Sequence, residues 1–217
     1  MTASPPARWA APSPRAALVV AVGSNASRDV LRSKFTNAGI DADDLDRRMT
    51  AVRVVGVGVA HSAHVARRGY LPAAPYRHPD AVLTTTAAWL DPDHLTALDA
   101  TEPNYDRMLT SATTHPLQFI ASDTHLHSPS VPQDFWIYVS RHGVLGDSPE
   151  SLAPFASQSS ILRWLDERVD LDVAPADPAA ACAALAQPMR ARRVHAHMRA
   201  ARLVQDARFA EVTAVAQ

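Results

Sequence analysis

Short apolar runs separated by polar breaks dominate the first two thirds of the chain, and helical spacing dominates the last third. Leu18-Val-Val-Ala-Val22 is an uninterrupted apolar run of the length of a central strand. Gly23-Ser24-Asn25 breaks it. Ser27 then stands where it can cap a helix that turns Val30, Leu31 and Phe35 inward and stops at Gly39. Residues 50–60 (TAVRVVGVGVA) are β-branched and predict a second strand, whose two glycines mark a bend or bulge. Residues 81–90 (AVLTTTAAWL) predict a third. Asp91-Pro92 opens a helix with proline in its first turn, running through His94, Leu95 and Leu98 to Thr101. Residues 135–140 (FWIYVS) close the strand series, followed by turns at Gly143 and Gly146. Beyond Ser148 the spacing is helical over residues 160–169, 178–186 and 189–212, punctuated by Pro175, Pro178 and Pro188. Strands first and helices last make an α+β order, unlike the strict alternation of a doubly wound sheet. No internal repeat is visible.

Composition narrows what such a chain does. With 217 residues, 47% apolar and 20% charged, it can bury the core of one domain with a small appendage. Residues 1–15, rich in Pro, Ala and Ser without periodicity, read as a disordered arm. A net charge of −1 offers no global basic surface to nucleic acid. The single cysteine, Cys182, excludes an internal disulfide framework and a cysteine-rich zinc site, and fits a reducing cytoplasm. No apolar run approaches the roughly 20 residues that span a bilayer. Arg15 followed by residues 16–22 imitates a short signal-peptide core, but a buried first strand explains the same residues. The cations are nearly all arginine, and Lys34 is the only lysine.

Two features carry candidate chemistry. A Gly23-Ser24-Asn25 turn after a buried strand exposes successive backbone N–H groups that can hold a carboxylate or a developing oxyanion. Glu102 falls at a predicted helix C-terminus, where the negative end of the dipole disfavours a second negative charge. Together with partial burial, that setting favours general acid–base work. The plain alternatives are a strand-ending turn and a solvated carboxylate on a helix end.

Three segments in order resemble the γ-glutamylcyclotransferase-like family. They are Val22-Gly-Ser-Asn25 after a strand, Gly69-Tyr-Leu-Pro72-Ala73 leading into a strand, and Leu98-Asp99 with Glu102, Tyr105 and Arg107 at the end of a helix. The strand at residues 136–140 followed by Gly143 sits where that family places its last barrel strand. The resemblance covers roughly residues 16–145 and implies a small mixed β-barrel with flanking helices, a domain over residues 16–147; the helical spacing beyond it makes residues 148–217 a C-terminal extension that packs on the barrel or a partner. The resemblance also implies a small-molecule γ-glutamyl substrate cyclised to 5-oxoproline with release of a free amine, and no metal or cofactor. Glu102 would be the general acid/base, with Val22, Gly23, Ser24, Asn25, Ala26 and Tyr105 around the substrate. The plain alternative for Tyr105 and Arg107 is that they only pack and pair around that turn. Val22 stands where the family usually has tyrosine, Ala26 where a larger apolar residue is common, and Pro103 where glycine is frequent. The alternative is therefore a non-catalytic binding or interaction module on the same scaffold.

Other motifs compete less well. Asp123-Thr-His125-Leu-His127-Ser128 is similar to the opening of the PHP-type metal phosphoesterases, and on a strand His125 and His127 could share a metal. Only about 90 residues follow, too few for that fold's barrel. A polar loop is the simpler reading. His61, His64, His195 and His197 lack nearby carboxylate or cysteine partners and read as surface histidines. Neither a Gly-x-Ser-x-Gly elbow nor a glycine-rich dinucleotide loop occurs; Gly56-Val-Gly58 lacks the third glycine. Arg190, Arg192, Arg193, Arg199, Arg202 and Arg208, interleaved with Val194, Met198 and Leu203, predict a helix that docks on the barrel or on a partner chain, a homodimer included.

Overall fold

The computed structural model describes residues 13–120 and 131–209. In chain order these form β1 (Ala17–Val20), a 3-10 turn (Gly23–Ala26), α1 (Arg28–Asn37), the short α2 (Leu45–Arg48), β2 (Met49–His61) and β3 (Ala73–Leu90). Next come α3 (Pro92–Thr101), β4 (Tyr105–Ser111), β5 (Leu117–Phe119), β6 (Asp134–Ser140), β7 (Val144–Ser148) and β8 (Ser151–Leu152). The series ends with α4 (Gln158–Asp166), α5 (Pro178–Leu185), α6 (Pro188–Ala200) and β9 (Val204–Gln205). The class is α+β. The described residues divide into two compact units that interleave in sequence: 13–58, 78–120 and 131–138 in the first, 59–77 and 139–209 in the second. The expected arm over residues 1–15 lies outside the described residues apart from its last three.

In the first unit β1 is central. It pairs antiparallel with β3, Val19 opposite Ala88, and parallel with β6, Val19 opposite Trp136. Leu18, Val19 and Val20 are all buried, so the run shows no polar alternation. The strand order is β4-β6-β1-β3-β2-β5, a mixed sheet. Among the described residues this order begins at β4 and ends at β5 as an open sheet, with no closed barrel. β3 starts eight residues before the predicted strand. Pro75 and Pro79 hid its first half, because proline speaks against a strand unless its missing N–H is not needed there. β4 escaped the pattern because its side chains are half-buried on both faces and give no alternation.

Leu31 and Phe35 of α1, with Ala97 and Leu98 of α3, close over Val19, Ala88, Leu90 and Tyr138. Ser27 takes the N-cap position of α1, yet its hydroxyl makes no capping bond. The helix ends where the Ile40 N–H returns to the Phe35 carbonyl. Asp91 precedes Pro92 as expected, but its carboxylate is held by Arg48 instead of the helix N–H groups.

The second unit is built on β7, which pairs with β8 and with β9. Gly146 therefore lies in a strand, not in the predicted turn, and its N–H bonds the Leu203 carbonyl. α4, α5 and α6 pack around Leu71, Leu145, Ile161, Leu165, Leu185 and Met198. The long last helix predicted to Val212 stops at Ala200. Leu203 N–H bonds the Met198 carbonyl, Arg202 turns at φ +59, and Leu203 enters the core. Val194, Met198 and Leu203, expected to dock on the barrel or a partner, are buried within this unit. Among the described residues no helix is long and apolar enough to cross a membrane.

One side chain in this unit imitates a neighbouring strand. Gln158 accepts the Leu71 N–H at 2.9 Å and donates to the Leu71 carbonyl at 2.8 Å. Gln158→Ala strands a buried N–H, and is expected to cost about 1–3 kcal/mol. A urea titration with an unchanged midpoint would contradict this.

Candidate functional site

The site is assembled in the first unit from three elements. Val22 leaves β1 extended, at φ −128 and ψ 132, and Gly23 at φ +69 turns the chain into the 3-10 turn. Gly23 and Ser24 are exposed, Val22 and Ala26 half-buried, and Asn25 buried. The opening N–H groups of such a turn have no acceptor within it. Glu102 forms the C-cap of α3, its N–H on the Asp99 carbonyl and its own carbonyl accepting from the Tyr105 N–H, each at 3.0 Å. That double anchorage fixes the backbone that carries the carboxylate.

The Glu102 side chain meets Asn25, 77 residues away, with Asn25 Nδ2 donating to Glu102 Oε1 at 2.9 Å. Lys34, from the last turn of α1, donates from Nζ to the same Oε1 at 2.6 Å and to Asn25 Oδ1 at 2.7 Å. The three side chains close a ring. Only one orientation of the Asn25 amide suits it, since the flipped amide would set NH₂ against the ammonium. The Lys34 and Glu102 side chains are only 18% and 15% exposed. The ammonium offsets the disfavour that the α3 dipole imposes on a carboxylate at this end.

Arg107 and Tyr105 serve the frame around Glu102. Arg107 grips Asp99 with two bonds, Nε to Oδ1 at 2.9 Å and Nη2 to Oδ2 at 3.0 Å, and lies over the Trp136 ring. The Tyr138 hydroxyl also donates to Asp99 Oδ1, at 2.6 Å. Burial, and then this bond to a carboxylate, push the Tyr138 phenol above its ordinary range. Tyr105 packs against the apolar cluster between α1, α3 and the sheet. A narrow pocket beside Asn25 is lined by apolar Val19, Leu31, Met49 and Leu98, with Thr86 as a second polar neighbour.

The residue missed in the sequence is Lys34. Its signal was composition: one lysine in a chain that otherwise uses arginine. His125 and His127 lie outside the described residues. Among the described residues no group of three or more His, Cys, Asp or Glu is arranged to hold a metal.

The expectation of surface histidines is corrected in the second unit, where His61 and His64 are buried and His195 is half-buried. Their polar ring atoms replace absent backbone partners. Ala156 N–H donates to His61 Nε2, so His61 carries its proton on Nδ1 and donates to the Leu71 carbonyl. Val65 N–H donates to His195 Nε2 at 2.7 Å. The His64 and His142 rings lie 4.6 Å apart, and His142 and His195 5.8 Å apart. Burial lowers the pKa of all four rings; the neighbouring imidazoles push His64 further, to about 3, and Arg199 and Arg141 act on His142.

These folded-state values lie below the unfolded 6.5, so the unfolded chain takes up protons first. The histidine contribution is complete above pH 6.5 and is lost as pH falls, for His64 down to about 3. Each ring protonated only in the unfolded chain adds a slope of about 1.4 kcal/mol per pH unit. Urea midpoints should fall between about pH 6.5 and 5, above the main carboxylate range. A flat midpoint across that window would refute the assignment.

No protein-family model matches the sequence, and no curated protein matches it. Solved structures to which this chain is similar include two Arabidopsis thaliana proteins determined in solution. One is 16% identical with a TM-score of 0.41, covering 70% of this chain and 82% of its own. The other is 13% identical with a TM-score of 0.38, covering 60% and 66%. A gamma-glutamyl cyclotransferase is 8% identical with a TM-score of 0.43, covering 93% of this chain and 94% of that one.

Proposed function

We propose that this chain cyclises a γ-glutamyl amide to 5-oxoproline and releases a free amine, with Glu102 as general acid/base. The observation that carries the reading is the Glu102 carboxylate held against Asn25 in the turn that follows β1. In the reaction the substrate's α-amine nitrogen attacks its own γ-carbonyl carbon, and the bond from that carbon to the amide nitrogen breaks. Glu102 takes one proton from the attacking nitrogen and returns it to the departing one. The step is redox-neutral and consumes no water. Its nucleophile belongs to the substrate, so the protein's work is positioning and proton transfer. Val22, Gly23, Ser24 and Ala26 would supply the wall and backbone N–H groups around the γ-glutamyl group, and Tyr105 would border it.

Binding without turnover is the second reading, favoured by the closed ring of Lys34, Asn25 and Glu102, which satisfies these polar groups without a ligand. A panel of γ-glutamyl amino acids and γ-glutamyl amines, assayed for 5-oxoproline, separates the two. Release from at least one compound supports the enzyme. Saturable binding by calorimetry with no release supports the binding module.

A further inference from the structure

Lys34 has a geometry that charge pairing alone does not require. One nitrogen reaches two acceptors on two other elements, Asn25 Oδ1 in the 3-10 turn and Glu102 Oε1 at the end of α3. Asn25 Nδ2 converges on that same Oε1. Both donors that hold the carboxylate among the described residues therefore bind one oxygen, and Oε2 takes no part in the ring. An ammonium suits this task because its three N–H groups radiate from a single atom. A guanidinium spreads its donors across a planar fork matched to both oxygens of one carboxylate. Arg107 shows that use on Asp99, where it occupies Oδ1 and Oδ2 together. Arginine in place of Lys34 would tend to cover Oε2 as well. This explains why the chain's only lysine stands here.

We infer that Lys34 is the positioning residue of this site: with Asn25 it anchors Glu102 through Oε1, so that Oε2 is the oxygen that exchanges the proton with substrate. The inference rests on the reading of Glu102 as the proton-transfer group. It separates the two carboxylate oxygens by role, one structural and one reactive.

The test compares the intact protein with Lys34→Met, Lys34→Arg and Glu102→Gln. Steady-state 5-oxoproline release should show kcat falling about 10- to 100-fold in Lys34→Met, as expected for a misplaced proton-transfer group. KM should stay within about threefold, because the anchor does not bind substrate. Lys34→Arg should recover less than half of the loss, since its fork competes for Oε2. Wild-type kcat in Lys34→Met overturns the inference, and so does a loss confined to KM. A second readout needs no turnover. With one lysine in the chain, lysine labelled with ¹⁵N at Nζ gives a single ammonium resonance by NMR. Bonded to Asn25 and Glu102, it should be protected from exchange, and Glu102→Gln should shift it and weaken that protection. A resonance indifferent to Glu102→Gln overturns the anchor. Wild-type protein that releases no 5-oxoproline overturns the proposed function and the proton role of Oε2, while the ammonium signal still decides the anchor.

Discussion

Gly69→Ala should cost more than about 4 kcal/mol, a loss large enough to unfold a domain of ordinary stability. Gly69 has φ +82, and a Cβ built there lands on the Cys182 carbonyl oxygen of α5, 2.6 Å from the Cys182 carbonyl carbon and 2.8 Å from the Ala186 nitrogen. All three are backbone atoms, so no side chain can swing away, and α5 or the turn that carries Gly69 has to move. That helix buries Ala181 and Leu185 in the apolar cluster of the second unit, and moving it opens that core. Gly39→Ala is the control. Its φ of +73 imposes a similar backbone penalty, but nothing lies within 4 Å of the added carbon. It should cost only about 1–2 kcal/mol. Urea unfolding followed by tryptophan fluorescence and far-ultraviolet circular dichroism measures both. Equal losses in the two variants would show that the approach of α5 to Gly69 is not tight.

Glu102→Gln should reduce 5-oxoproline release by about 10²- to 10⁴-fold, the usual weight of a positioned general acid–base group. Glutamine keeps the size of the side chain, and its carbonyl oxygen can still accept from Lys34 and Asn25. Under the proposed function, what it loses is the ability to take a proton from the substrate amine and return it to the leaving nitrogen. The ion pair with Lys34 becomes a bond to a neutral acceptor; because both side chains are largely buried, stability should drop by about 1–3 kcal/mol. Activity and stability thus part company in this variant. Full release by Glu102→Gln would remove Glu102 from the reaction. A fall in release matched by collapse of the urea midpoint would make its role structural.

Much of the first unit was legible along the chain. The run of residues 18–22 had the length and uniform apolarity of a strand covered on both faces, and β1 is that strand, buried between β3 and β6. Asp91-Pro92 marked the start of α3 because proline's fixed φ suits a first helical turn. Glu102 and Asn25 were both visible as local features, one ending a helix and one ending a strand. Their meeting was implied only by the family resemblance, because a hydrogen bond across 77 residues leaves no periodicity in the sequence. Lys34 was noticed as a rarity and given no role, since only the packing of α1 beside α3 brings its ammonium to both acceptors.

The second unit was less legible. Its histidines looked like surface residues for want of carboxylate or cysteine neighbours, but their partners are backbone N–H and carbonyl groups of distant segments. Such partners carry no residue identity and cannot be read from a sequence. Likewise, the arginine-rich stretch after Pro188 had helical spacing beyond Ala200, yet β9 follows because Val204 and Gln205 pair with β7.

The sequence by itself determined the class of the fold, the positions of β1, α1, α3 and β6, and the two local features on which any site here depends. Hydrophobic periodicity, proline and glycine act within a few residues, so they survive in a linear pattern. Tertiary structure alone decided that residues 59–77 belong with 139–209, that Gly69 touches the backbone of α5, and that Lys34, Asn25 and Glu102 form one ring. Those outcomes depend on which surfaces meet, and that is set by the balance of burial over the whole chain.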